Sequence, residues 1–561
     1  MVSRAGRGPG ARLLAFGRGP GVRLRASGEG PGVRLSAVGR AHGVFAVALL
    51  LGAALRAVAV LGYPTVFWFG DSGTYLKSAL HFTPSPLRPS GYSLMLWFLH
   101  PFHDFRLVVV VQHLLGLATA VLLYAVTWRW TRGQWPGRRW AAGLLGTAVA
   151  APVLFDGYQI QLEHMLMSDV LFEFFAVAAI ATLLWRRRVT WRLGALAGVL
   201  LAAAALTRTV GLPLLVIAVL QLAVRALVDK RVEAQAGGRI EAQTDERVEA
   251  QADEGDDAQA DDGGGRRPDE GGGERADEPA VRPGGGGRRG ARWRPLAAMV
   301  AVFAVVVCGY ASWYEEAHGR FELSATNGFF LYGRTAAFAD CAKIEPPPEL
   351  AGLCHDWKHD MPGVAPGYAA LWGPRSPFRA MPDGVADEEG NRRADRFARA
   401  AILAQPGDYL DRALRDTARS FSWGRSDYPT SWTVGEYRFP SRHWQPRSAV
   451  KPARAYGHGT AAPRIVEPFA GWMRSYQKVV FLPGTLLGVL LLVGLAGAVR
   501  HARNGGGAAL LPWLSAFALL TVPPFTADFD YRYLLPVVPF AALAAALGVI
   551  SEPVSSTSRD L

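Results

Sequence analysis

A single acidic residue follows the first long apolar run directly, in the stretch Phe67-Trp68-Phe69-Gly70-Asp71. Aromatic side chains favour the membrane–water boundary, so this stretch is predicted to lie where the chain leaves a bilayer. Low-dielectric surroundings on one side would raise the basicity of the Asp71 carboxylate and suit it to general-base chemistry. The alternative is a solvated aspartate that only opens a helix, because Asp71 and Ser72 are both good N-cap residues.

Further ionisable residues from distant segments are predicted at the same outer surface. They are Lys77, Arg88, Asp156, Glu163, Asp169, Arg208, Asp528, Asp530 and Arg532. Arginine suits phosphate because its planar guanidinium donates two hydrogen bonds at once, and a carboxylate nearby could deprotonate a hydroxyl or hold a cation. The set predicts a cavity for an anionic lipid head group. The alternative is that each residue is a separate, solvated loop charge.

The composition indicates a membrane protein that crosses the bilayer several times. Half of the 561 residues are hydrophobic and the mean hydropathy is +0.13. Several apolar runs approach or reach the roughly 20 residues needed to cross a bilayer. The net charge of +13 comes mainly from dispersed arginines, which suits the cytoplasmic flanks of membrane helices and predicts no nucleic-acid partner.

About ten crossings are predicted, with both ends cytoplasmic. The apolar runs are 44–63, 107–127, 140–154, 164–184, 193–228, 295–310, 479–499, 508–522 and 534–550. Arg56, within the first run, is expensive to bury and is expected to face the bundle interior or a wet cavity, or to snorkel outward. The run 193–228 is too long for one span. It is predicted as two short helices that meet at Arg208, or as one helix kinked at Pro213.

The predicted fold class is an all-α polytopic membrane protein with one extracytoplasmic domain of mixed secondary structure. Cys341 and Cys354 lie in that domain and are predicted to form a disulfide there. The predicted segments are a disordered basic tail (1–40), an N-terminal membrane region (41–228), a disordered cytoplasmic linker (229–294), a membrane helix (295–313), the extracytoplasmic domain (314–475), C-terminal membrane helices (476–550) and a cytoplasmic tail (551–561).

An ordered set of short motifs resembles the GT-C-fold glycosyltransferases, a group that includes protein O-mannosyltransferases and lipid A aminoarabinose transferases. The motifs are Gly70-Asp71-Ser72-Gly73-Thr74-Tyr75, Arg88-Pro89-Ser90-Gly91-Tyr92, Met167-Ser168-Asp169-Val170-Leu171-Phe172, Leu206-Thr207-Arg208-Thr209-Val210-Gly211 and Tyr531-Arg532-Tyr533-Leu534-Leu535-Pro536. This chain departs from the family in three places. Ser72 stands where the mannosyltransferases have a second acidic residue, Asp169 stands for glutamate, and Thr209-Val210 stands for Pro-Glu.

The resemblance implies a GT-C-like fold and a chemistry. It implies inverting transfer of a sugar from a polyprenyl-phosphate donor to a cell-envelope acceptor, on the outer face of a bacterial plasma membrane. Asp71 would be the catalytic base. Arg208 and Arg532, with Lys77 and Arg88 behind them, are the candidates for the donor phosphate, and Tyr75, Asp169, Glu163 and Asp156 are supporting candidates.

Neither a metal site nor a certain cofactor is predicted, although a divalent cation is left open. Two other functions are consistent with the sequence. One is a transporter or flippase of a lipid-linked sugar, although no inverted repeat of the membrane helices is evident. The other is a non-catalytic scaffold of the cell wall.

Overall fold

A computed structural model describes residues 31–134, 138–228, 292–381, 384–502 and 507–550. Most of the predicted linker, residues 229–291, and the tail 551–561 lie outside these ranges, as do residues 1–30 of the predicted N-terminal tail. Residues 31–40 were also predicted to be disordered, but they form the start of the first helix, Pro31–Gly62. In the described residues all regular structure is helical, apart from one isolated bridge between Phe67 and Met165.

Within the described residues up to His318, the chain forms ten helices. They are α1 Pro31–Gly62, α2 Ser72–His81, α3 Gly91–Leu99, α4 Phe105–Thr131, α5 Arg139–Phe155, α6 Gly157–His164, α7 Asp169–Leu184, α8 Trp191–Thr207, α9 Thr209–Val228 and α10 Arg294–His318. Within this set the most extensive pairings are α8 with α10, α4 with α5 and α7 with α8. Their shared core contains mostly Ala, Val and Leu.

The second part forms twelve more helices. They are α11 Asn327–Thr335, α12 Cys341–Ile344, α13 Pro348–Ala351, α14 Pro366–Trp372, α15 Glu388–Ala404, α16 Pro406–Arg419, α17 Ser431–Glu436, α18 Arg447–Gly457, α19 Phe469–Val479, α20 Gly484–Arg500, α21 Leu510–Thr526 and α22 Val538–Val549. A 3-10 segment, Tyr531–Val537, leads into α22.

Among the residues that the structure describes, five helical segments are long and apolar enough to cross a membrane. They are Ala41–Gly62, Phe105–Thr131, Thr209–Val228, Arg294–His318 and Tyr531–Val549. The number rises to seven if each of two bent pairs, α5 with α6 (53°) and α19 with α20 (54°), is one span. The prediction of about ten crossings is higher than this. One reason is that α8 and α21 have 17 residues each and rise only about 25 Å, less than the roughly 30 Å of a hydrocarbon core.

The mixed domain expected over residues 314–475 is helical instead, since no strand occurs in the part of it that the structure describes. Several of its prolines stand in the first turn of a helix, where the missing N–H costs nothing, so they start helices rather than end them. Residues 388–419 form two helices, α15 and α16, divided at Gln405-Pro406. Cys341 and Cys354 are joined by a disulfide with their Cα atoms 5.9 Å apart.

The break between α8 and α9 lies at Arg208, whose backbone is extended (φ −150°, ψ 132°). The prediction of two helices that meet at this residue is therefore confirmed, and the single helix kinked at Pro213 is excluded. The Thr207 hydroxyl donates to the carbonyl of Ala203 (2.7 Å) and closes the last turn of α8. The break leaves the Arg208 side chain at the end of both helices.

Arg56 faces the interior of the bundle, one of the positions expected for it. Its side chain is buried and donates to both carboxylate oxygens of Glu163, at 2.7 Å from Nε and 2.6 Å from Nη2. Its Nη1 and Nη2 also donate to the carbonyls of Leu154 and Val153. His113 Nδ1 lies 2.8 Å from the same carboxylate. A buried charge pair persists only when its remaining polar atoms are also satisfied, and these contacts supply that condition.

Gly116 of α4 makes this arrangement possible. A Cβ atom at that position would overlap the carboxylate of Glu163. We therefore expect Gly116→Ala to push Glu163 away from Arg56, and separating a buried ion pair costs ~3–5 kcal/mol. The measurement is thermal unfolding of the purified protein in detergent. Gly309→Ala in α10 is the matched control, because nothing lies within 4 Å of a Cβ atom added there. Equal melting temperatures for the two variants would contradict this view of Gly116.

Candidate functional site

One cavity of about 550 Å³ collects charged residues from four separated segments of the chain. Its charged and tyrosine lining residues include Asp71, Tyr75, Arg88, Arg208, Arg532 and Tyr533. They come from the start of α2, the loop between α2 and α3, the break between α8 and α9, and the 3-10 segment before α22. Each stands where a helix begins or ends, so side chains from distant segments meet at one level of the bundle.

The Asp71 carboxylate is the centre of this group. Asp71 occupies the N-cap position of α2, yet its side chain makes no capping hydrogen bond. It accepts instead from Arg88, whose Nη2 lies 3.2 Å from both carboxylate oxygens and whose Nε lies 3.3 Å from Oδ2. Arg532 Nη1 is 3.9 Å from the same Oδ2. The view of Asp71 as a solvated, helix-opening residue is therefore wrong for its side chain.

The charges around Asp71 also correct the expectation about its basicity. Burial raises the pKa of the Asp71 carboxyl, but the nearby guanidinium groups of Arg88 and Arg532 lower it by more, so the pKa lies below its ordinary value. The carboxylate is consequently ionised at neutral pH and is a weaker base than partial desolvation alone would make it.

Arg208 is held by an ion pair and by an aromatic ring. Its Nη1 contacts Oδ1 of Asp169, a fully buried carboxylate at the start of α7. Its guanidinium carbon lies 5.1 Å from the centre of the Tyr533 ring. Beside it, Tyr75 Oη and Ser168 Oγ are 3.0 Å apart. Asp169 thus positions an arginine of the cavity, while Arg208 itself reaches the cavity lining.

Arg532 lies between two aromatic rings and two carboxylates. Its guanidinium carbon is 4.9 Å from the centre of the Phe69 ring and 5.3 Å from that of Tyr533. Its Nε is 3.4 Å from Asp530, which also accepts a 2.7 Å hydrogen bond from the Tyr437 hydroxyl. Cation–π contacts and ion pairs together fix the planar head of the arginine.

Several of these partners were missed when the sequence was read for ionisable groups alone. They are Phe69, Phe330, Tyr437 and Tyr533, of which Phe330 lies 4.6 Å from the Arg88 guanidinium. The aromatic residues that flank Arg532 in Tyr531-Arg532-Tyr533 were a usable signal, because arginine stacks on such rings. Phe330 and Tyr437 belong to the region 314–475, for which the motifs carry no information.

Four residues predicted for the site neither line the cavity nor contact its arginines. Asp528 accepts a hydrogen bond from the Tyr428 hydroxyl instead. Lys77 is exposed on α2 and does not line the cavity. Glu163 is buried in the Arg56 network. Asp156 caps α6, where it accepts from the backbone N–H of Tyr158 (2.7 Å), and its other oxygen accepts from that of Leu482 (2.8 Å). Glu163 and Asp156 therefore hold helices together rather than face the cavity.

The same cavity has an extensive apolar lining. Leu212 and Pro213 come from α9, Leu519 and Val522 from α21, and Phe172 from α7. The segment that forms α9 is one of the candidate membrane spans. The cavity thus combines arginines with the side chains of apolar helices, a combination that fits a ligand with an anionic head and an apolar body.

Helices α11 and α15 complete the wall of the cavity. Asn327, Phe330 and Leu331 of α11 line the cavity, with Asp395 and Arg399 of α15. Within the ranges that the structure describes, no group of three His, Cys, Asp or Glu side chains could hold a metal ion. Arginine side chains contribute positive charge to this cavity.

Comparison with known proteins finds no family model that matches this chain, no similar curated protein and no similar solved structure. The description that stands is of a helical protein with several apolar helices that could cross a membrane.

The depressed pKa of Asp71 predicts a pH dependence of stability. A carboxyl with a lowered pKa in the folded state stabilises that state at neutral pH, and this stabilisation is lost as the pH falls through the folded-state pKa. In Arg88→Gln one of the cations is removed, so the pKa of Asp71 in the folded state lies closer to its value in the unfolded state, and the stabilisation lost between pH 7 and about 4 should be smaller. The measurement is the difference in melting temperature between each protein and its Asp71→Asn counterpart, from pH 7 to about 4.

Subtracting the melting temperature of the Asp71→Asn counterpart removes the contribution of the other titratable groups from each curve. The curve for the Arg88→Gln background should fall less over this range than that for the unmodified protein. Two curves that superimpose would show that Arg88 does not set the pKa of Asp71.

Proposed function

We propose that this protein is an integral-membrane inverting glycosyltransferase. It would take its sugar from a polyprenyl-phosphate donor and transfer it to a cell-envelope acceptor, on the extracytoplasmic face of a bacterial plasma membrane. The observation that carries the proposal is one cavity. It joins the Asp71 carboxylate, the guanidinium groups of Arg88, Arg208 and Arg532, and apolar side chains of α7, α9 and α21. The motifs that resemble GT-C-fold enzymes contribute four of these charged residues, and their order along the chain supports the same proposal.

The arginines and the apolar lining favour a lipid phosphate as the donor. A phosphate monoanion or diester offers oxygens that a guanidinium can bind in pairs. The lining residues Leu212, Pro213 and Leu519 would contact the first isoprene units of the carrier. A water-soluble nucleotide sugar has no long apolar group that could pack against this part of the wall. We therefore infer a lipid-linked donor rather than a soluble one.

In the proposed reaction Asp71 acts on the acceptor and the arginines act on the leaving group. The acceptor hydroxyl loses its proton to the Asp71 carboxylate as its oxygen bonds to the anomeric carbon. The bond from that carbon to the phosphate oxygen breaks, and the polyprenyl phosphate leaves with the electron pair. Arg88, Arg208 and Arg532 are fixed before the reaction, so they stabilise the charge that develops on phosphate without reorganising.

The contacts of Asp71 suggest how donor binding and basicity are linked. Arg88 and Arg532 hold the pKa of the Asp71 carboxyl down while they face it. A donor phosphate bound to these guanidinium groups would partly neutralise their positive charge and weaken that effect. The carboxylate would then gain basicity when the donor is in place, which is when a proton must be accepted.

The direct test is Asp71→Asn, which keeps the shape of the side chain and removes the base. We expect transfer from a labelled polyprenyl-phosphate sugar to fall by ~10²–10⁴-fold, the usual contribution of general-base catalysis. The released polyprenyl phosphate is measured in detergent, with a panel of donor sugars. Lys77→Gln is the matched control, because Lys77 lies on the same helix but outside the cavity, and it should leave the rate unchanged.

The same assay separates a transferase from a transporter or flippase. A transporter moves the lipid-linked sugar intact and releases no polyprenyl phosphate from any donor. Full release by the Asp71→Asn protein would end the assignment of Asp71 as the base. No release by the unmodified protein with any donor would end the proposed transfer itself.

A further inference from the structure

A second cavity, of about 490 Å³, lies on the other side of the loop that carries Asp71. One wall is the segment from Tyr63 to Trp68, which follows α1. The opposite wall is formed by the end of α17 and the segment after it, including Trp432 and Trp444, and by residues 463–465. The chain that lines this second cavity continues within three residues to Asp71 in the first one.

Indole rings form much of the second cavity. Trp432 and Trp444 make an edge-to-face pair with centroids 5.4 Å apart, and Trp432 is 43% exposed although it lies in a structured wall. Trp68 also lines the cavity, and its buried Nε1 has no hydrogen-bond partner among the described residues. Indole faces that remain open to solvent suit the C–H faces of sugar rings, and an indole N–H can donate to a hydroxyl.

The charge of the second cavity is positive. Arg438, Arg442 and Arg464 line it, are exposed, and form no ion pair with any residue that the structure describes. The carboxylate that lines it is Glu436, and burial raises the pKa of Glu436 to about 7, so this group is only partly ionised at neutral pH. Three guanidinium groups without carboxylate partners would bind an anionic ligand, and their planar donors fit carboxylate or phosphate groups.

Phe69 connects the two cavities. Its ring is stacked on Tyr437 with centroids 5.8 Å apart and lies near-parallel to Trp432 at 6.5 Å. The Arg532 guanidinium of the first cavity lies over the same ring. A ligand that packs on Trp432 would therefore sit within one aromatic layer of the residues that surround Asp71.

We propose that the second cavity binds an acidic oligosaccharide, whose rings pack on Trp432 and Trp444 and whose anionic groups bind Arg438, Arg442 and Arg464. That this saccharide is the acceptor of the transfer rests on the proposed function, whereas its binding does not. The neighbouring position of Phe69 and Asp71 would bring one end of the chain toward the donor cavity.

The test is binding of trigalacturonate to the full chain in detergent, measured by calorimetry, with maltotriose as the neutral sugar of the same length. All measurements use the Asp71→Asn background, so that no turnover can occur. We expect trigalacturonate to bind more tightly than maltotriose. Trp432→Ala and Arg442→Gln should each weaken it by about tenfold, the order of one aromatic or charge-assisted contact.

Matched controls separate this site from general effects. Trp472→Ala changes a tryptophan that is 56% exposed outside the cavity, and Arg379→Gln changes an exposed arginine elsewhere. Neither should alter the affinity. Equal affinity for the two sugars, no binding of either, binding only of anionic-lipid vesicles, or equal losses in the control variants would each overturn the proposal.

The outcomes also distinguish this inference from the proposed function. If Asp71→Asn retained full transfer, only the assignment of Asp71 as the base would fail. Saccharide binding that depends on Trp432 and Arg442 would still support the second site. Conversely, loss of transfer in Asp71→Asn without any saccharide binding would remove the second site and leave the proposed base in place.

Discussion

The Asp71 carboxylate lies between two guanidinium groups, and three separate parts of the fold must be in position to keep it there. α2 presents Asp71, the loop before α3 presents Arg88, and the 3-10 segment before α22 presents Arg532. Two hydrogen bonds to other parts of the chain hold the loop that carries Arg88. The backbone N–H of Ser90 donates to the Tyr310 hydroxyl of α10 (3.1 Å), and the N–H of Ala325 donates to the carbonyl of Pro86 (2.8 Å).

These anchors explain how a flexible arginine is kept in one place. The tyrosine that holds the loop belongs to α10, and α10 packs along α8, which ends at Arg208. The same two helices therefore position two of the three arginines. The aromatic rings of Phe330, Phe69 and Tyr533 then limit the orientation of the guanidinium planes. A cavity arranged in this way already holds its cations before an anionic ligand arrives, which lowers the cost of binding it.

The sequence was sufficient to predict that Asp71, Arg88, Arg208 and Arg532 meet, and all four line one cavity. It was not sufficient to predict which charges face the cavity. Glu163 and Asp156 lie at similar positions along their runs, but they turn inward to Arg56 and to the start of α6. The catalytic roles of the four cavity residues remain predictions.

Sequence patterns could not predict the secondary structure of residues 314–475, the basicity of Asp71 or the aromatic partners of the arginines. Residues 314–475 were predicted as a mixed domain, yet they are helical where the structure describes them, and proline in a first helical turn is compatible with a helix. The basicity of Asp71 depends on the sum of burial and two neighbouring charges, and only their distances show which effect is larger. The aromatic partners of the arginines come from regions that no motif covers.

The central claim is that the phosphate of a lipid carrier binds among Arg88, Arg208 and Arg532. The most direct measurement is an electron cryo-microscopy structure of the protein in a lipid nanodisc with polyprenyl phosphate. If the phosphate binds there, we expect its density within hydrogen-bonding distance of these guanidinium groups, with the isoprene chain along Leu212 and Leu519. Phosphate density at another surface, or a cavity that contains only water at saturating ligand, would contradict it.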